Sequence, residues 1–84
     1  MKIGKVTGSV WATKKDELLN GQKLLVVQTD THMLVATDRI GAGMGDTVLL
    51  CYGSSARFSS SNHNAPIDAA IVGIIDTVEL EEHP

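Results

Sequence analysis

Two six-residue runs, Lys23-Leu24-Leu25-Val26-Val27-Gln28 and Thr47-Val48-Leu49-Leu50-Cys51-Tyr52, are apolar at nearly every interior position. A strand points successive side chains to opposite faces of its sheet, so each run is apolar on both faces and needs cover on both. The chain has 84 residues, which suits one domain burying roughly 63% of the surface its unfolded form exposes. In a single-layer barrel of that size one face of each strand fills the interior. The other can be covered only by a loop or by another subunit.

The rest of the chain supplies three more strands. Residues 3–12 alternate, with Gly4, Val6, Gly8, Val10 and Ala12 on one face and Lys5, Thr7 and Ser9 on the other, as in a half-buried strand. Glycines inside it predict a bend or a close backbone approach. Residues 13–22 carry charge and an Asn20-Gly21 turn signal. Thr29-Asp30-Thr31-His32 is a polar turn, so residues 23–28 and 33–37 read as a hairpin. A glycine-rich loop over 38–46 leads into the second apolar run. Residues 58–64 are polar and of low complexity, and read as a surface loop. Residues 67–78, rich in Ile and Val, read as the fifth strand, with one helical turn over 66–70. Residues 79–84 form an acidic tail expected to be solvated. The expected class is all-β: one domain over residues 1–84, a five-stranded, partly open barrel of OB type.

The function classes narrow by exclusion. Cys51 is the only cysteine, which rules out an internal disulfide, and in its apolar run it reads as a small buried hydrophobe rather than a nucleophile. His32, His63 and His83 stand apart, so no metal is expected. Gly41-Ala42-Gly43-Met44-Gly45 invites comparison with dinucleotide-binding loops. Asp46, however, occupies the place of the last glycine and a strand follows instead of a helix, so no cofactor is expected. Gly53-Ser54-Ser55-Ala56-Arg57 does not complete a nucleophile elbow, and no base can be assigned to it; the chain does not read as an enzyme. Paired hydroxyls there suit the lining of an opening or bonds to local backbone. Arg57 reads either as a clamp on a carboxylate, with Asp38, Asp46 and Asp68 as candidates, or as a solvated surface residue.

An OB-type barrel would also suit a ligand-binding or nucleic-acid-binding module. The net charge of -3, the scattered basic residues and the single Trp, Tyr and Phe on separate segments argue against a nucleic-acid partner. The first ten residues lack a signal-peptide core, and no run nears the roughly 18 apolar residues of a membrane span. A cytoplasmic protein without a membrane partner is therefore expected. Hydrophobic residues make up 43% of the chain. With disulfide and metal excluded, association is the expected source of additional burial, and Trp11 is its expected anchor or a core residue.

Four segments carry a resemblance: residues 6–13 (Val-Thr-Gly-Ser-Val-Trp-Ala-Thr), Gly41-Ala42-Gly43-Met44-Gly45-Asp46, Gly53-Ser54-Ser55-Ala56-Arg57, and residues 68–76 (Asp-Ala-Ala-Ile-Val-Gly-Ile-Ile-Asp). In this order and spacing the chain resembles the EutN/CcmL family. The resemblance implies a structural protein of the bacterial microcompartment shell in the cytoplasm, a homopentamer of OB-like barrels at the five-fold corners of a shell tiled by hexameric proteins. It further implies that Gly41, Ala42, Gly43, Gly45 and Asp46, with Asp38 and Arg57, lie near the subunit contact. Gly53, Ser54 and Ser55 would lie near the central axis.

Overall fold

The computed structural model describes residues 1–54, 56 and 66–80. Five strands form a closed barrel in the order β1-β2-β3-β5-β4: β1 (Lys2–Ser9), β2 (Lys23–Gln28), β3 (Met33–Asp38), β4 (Thr47–Tyr52) and β5 (Ala69–Ile74). Neighbours pair antiparallel except β3 and β5, which are parallel and share only two residue pairs, Thr37 with Ala70 and Asp38 with Ile71. The barrel is therefore closed rather than partly open, and the β3–β5 seam is its thinnest part.

The interior is filled by Val6, Leu25, Val27, Ala36, Val48, Leu50, Ala69 and Ile71, with Ala42 closing one end. These are the inward members of the alternating strands. Gly4 marks the closest approach: a Cβ there would lie 2.5 Å from Val27 Cγ1 and 3.1 Å from the Gln28 carbonyl oxygen. The expectation of a tight approach in β1 is met at this residue. The register of β1 against β2 shifts between Val6 and Gly8, turning Gly8 toward Val26 on the outer face.

The outer faces of the two apolar runs fare differently. Cys51 is buried in a second cluster with Ala56, Ile67 and Ala70, against which Leu19 and Val72 pack. Returning chain covers that end of β4, so no second subunit is needed there. Leu24, Val26 and Leu49 remain half-buried, while Val35 and Met33 of β3 are 45% and 63% exposed.

Two boundaries differ from the sequence expectation. The first strand ends at Ser9 rather than residue 12: Val10 N–H still donates to the Leu24 carbonyl at 3.0 Å, and beyond it Trp11 and Ala12 stand in solvent. The helical turn expected over residues 66–70 is absent. Residues 66–68 are irregular and Ala69 and Ala70 already pair with Tyr52 and Cys51. A 3-10 turn forms instead at Glu17–Leu19, where the Asp16 carboxylate accepts a hydrogen bond from Leu18 N–H at 2.8 Å.

Candidate subunit interface

The loop from β3 to β4 is built around Asp38. This residue ends β3 on the inward face, and its side chain is fully buried. Its Oδ1 accepts hydrogen bonds from Ile40 N–H at 3.0 Å and Gly41 N–H at 3.3 Å, and its Oδ2 accepts one from Ala42 N–H at 2.9 Å. A carboxylate accepts several donors at once, so one side chain satisfies three backbone groups that the turning chain cannot pair with a strand. Lys23 at the start of β2 places its Nζ 3.5 Å from Oδ2 and donates to the Ala42 carbonyl at 3.0 Å. Gly41 takes φ +94°, a conformation open to glycine, and this turn drives Ala42 into the barrel mouth.

A second turn follows directly. Asp46 N–H donates to the Gly43 carbonyl at 3.1 Å, and Gly43 N–H donates to Asp46 Oδ2 at 2.8 Å. Gly45 at the third position has φ +84° and Met44 before it has negative φ, which makes this a type II turn. Gly45 N–H and the Asp46 carbonyl both bond to Val6 of β1, each at 2.9 Å, so the turn is riveted to the neighbouring strand. Two apolar side chains are left outside the braced loop: Ile40, 50% exposed, and Met44, 68% exposed.

The second motif lies at the other end of β4, a strand of six residues spanning about 17 Å. Gly53 has φ +70° and donates its N–H to the Asp68 carbonyl at 2.8 Å; Gly53 and Ser54 are exposed. Ser55, Arg57 and His63 lie outside the described residues, as do residues 58–64 of the expected surface loop and residues 81–84 of the acidic tail. The structure thus gathers Asp38, Gly41, Ala42, Gly43, Gly45 and Asp46 at one end of the barrel and separates them from Gly53 and Ser54. Sequence reasoning missed Lys23, whose signal was a lone cation at the head of an apolar run.

Comparisons with known proteins agree with this architecture. Residues 1–76 match the family described as "Ethanolamine utilisation protein EutN/carboxysome". The chain is 49% identical over 86 residues to the bacterial microcompartment shell vertex protein GrpN of Rhodospirillum rubrum, with 94% of this chain and 97% of that protein covered. It is 43% identical over 90 residues to the carboxysome shell vertex protein CcmL of Thermosynechococcus vestitus, covering 99% and 91% of the two chains. Among solved structures, CcmL of Gloeobacter violaceus superposes with a TM-score of 0.90 at 36% identity, covering 96% of this chain and 91% of that one. The pentameric microcompartment shell protein GrpN of R. rubrum gives 0.85 at 45% identity, covering 96% and 100%. With its five-stranded closed barrel and a family match over residues 1–76, the chain belongs to the EutN/CcmL family of microcompartment shell proteins.

Proposed function

We propose that five copies of this chain close into a ring that caps a vertex of a microcompartment shell, with the loop from Asp38 to Asp46 as the lateral contact. The chain is a structural component and performs no catalysis. A flat sheet of hexagonal tiles cannot close, so five-fold wedges supply its curvature, and a head-to-tail contact repeated around an axis makes such a wedge. The observation that carries this reading is the braced loop itself. Its backbone is fixed by the buried carboxylate of Asp38 and, at the surface, by Asp46, yet it turns Ile40 and Met44 into solvent. A rigid loop with apolar tips loses little conformational freedom on association while it buries surface worth roughly 25 cal/mol per Å². Asp38 would act indirectly, through the loop it holds.

In this ring Gly53, Ser54 and Ser55 face the axis and Arg57 reaches a neighbouring copy, as the resemblance implies. Hexameric shell proteins are the flat neighbours, and nucleic acid is not a partner; the net charge of -3 and the scattered cations support the latter.

Native mass spectrometry at micromolar concentration should give five times the chain mass. A stable monomer would overturn the ring. Arg57→Ala should raise the concentration at which rings dissociate by about tenfold, an interface charge being worth roughly 1.4 kcal/mol, while the melting of the isolated barrel stays unchanged. A ring of wild-type stability in that variant would remove Arg57 from the contact.

A further inference from the structure

Two features at the surface are unexplained by the barrel. The first is the end of the described chain. Ile75 N–H donates to the Thr47 carbonyl at 2.8 Å, and after it residues 76–80 have no hydrogen bond among the described residues. Val78 and Leu80 in this arm are 50% and 83% exposed, and Glu79 stands between them. An extended arm would present Val78 and Leu80 on one face. The second is Trp11, 92% exposed and the only tryptophan of the chain. It borders a groove whose lining includes the half-buried Val10 and Leu24 and the exposed Lys15. Lys15 makes no ion pair among the described residues.

We propose that the arm of one copy, residues 77–80, lies in the Trp11 groove of the next copy in the ring. This rests on the ring reading and names a contact beyond the loop. The two surfaces match in chemistry: two aliphatic side chains meet an indole beside Val10 and Leu24, and an acidic arm meets the Lys15 ammonium. Glu81 and Glu82, next in the sequence, add to that charge. Fully extended, the six residues 75–80 span at most about 20 Å. The arm adds its unpaired backbone and its apolar face to another chain, as extended segments do when they dock on a neighbour. Trp11 supplies the rigid aromatic anchor on which such contacts concentrate.

The fluorescence of Trp11 reads this contact directly. In assembled wild-type rings its emission should be blue-shifted from that of solvated tryptophan. A chain ending at Asp76 should lose at least half of that shift, and Glu79→Lys should lose part of it, with Lys15→Glu restoring it in the double variant. Native mass is measured on the same samples. Rings whose emission is already that of solvated tryptophan, or is unmoved by removing the arm, would overturn the proposal while leaving the ring intact. A blue shift that persists after dilution to monomers would also overturn it, because the arm would then serve its own barrel. A wild-type chain that never exceeds the monomer mass would sink the ring and this contact with it.

Discussion

Replacing Gly4 with alanine should destabilise the barrel by about 2–3 kcal/mol, the upper part of the range for forcing a methyl into a packed interior. The added carbon would sit 2.5 Å from Val27 Cγ1, 3.1 Å from the Gln28 carbonyl oxygen and 3.4 Å from Leu50 Cδ1. None of these neighbours yields cheaply. Val27 and Leu50 are fully buried, valine is stiff at χ1, and the carbonyl belongs to the β1–β2 ladder. For a domain of this size the loss corresponds to a fall in Tm of roughly 10–20 °C. Gly8→Ala is the control, because its nearest neighbours lie 3.6 Å away on Val26, an ordinary contact. It should melt within a few degrees of wild type. Val27→Ala in the Gly4→Ala background should cost far less than Val27→Ala alone, since removing the branch relieves the clash. Thermal melts of the four variants check this. Additive losses, or equal losses at Gly4 and Gly8, would show that β1 does not make its closest approach at Gly4.

The same residues show how far the sequence reaches. β2 and β4 were legible to the residue because unbroken apolar runs are bounded by polar ends, at Lys23 and Gln28 and at Thr47 and Gly53. The end of β1 was not, because alternation continues through Val10 and Ala12 after the ladder has ended; nothing in periodicity marks where a strand loses its partner. Pro66 suggested a helical start, but pairing of Ala69 and Ala70 with β4 overrode local preference. The Asp16 cap before Glu17–Leu19 is present in the sequence, but the Asn20-Gly21 turn signal alone was read there. Cover for Cys51 from Ala56 and Ile67 depends on tertiary folding, so double apolarity alone overstated how much of β4 a partner must cover. At the candidate interface the glycines announced a tight loop. What organises it, a carboxylate at the end of β3 and a lysine at the head of β2, joins residues distant in sequence, and only the antiparallel pairing of Lys23 with Asp38 brings them together.

Asp38→Ala should be the most damaging polar substitution among the described residues, at about 3 kcal/mol. The loss is uneven across its partners. Ile40 and Gly41 are exposed, so water can replace the carboxylate at their N–H groups. Ala42 is 1% exposed, and its N–H would be left buried without an acceptor, which costs about 1–3 kcal/mol by itself. Lys23 is 54% exposed and rehydrates easily, so its ion pair adds little. A Tm lower by roughly 10–20 °C is expected, and a melt within a few degrees of wild type would show that the loop does not depend on this carboxylate. Asp38→Asn separates folding from assembly. One oxygen remains to accept, while the amide introduces a donor facing either Ala42 N–H or the Ile40 and Gly41 N–H groups, so about half the loss is expected and the barrel still folds. Its loop, less firmly fixed, should assemble poorly: rings that dissociate at a concentration at least tenfold higher than wild type, at a temperature where the monomer is folded, would tie the buried carboxylate to the proposed contact.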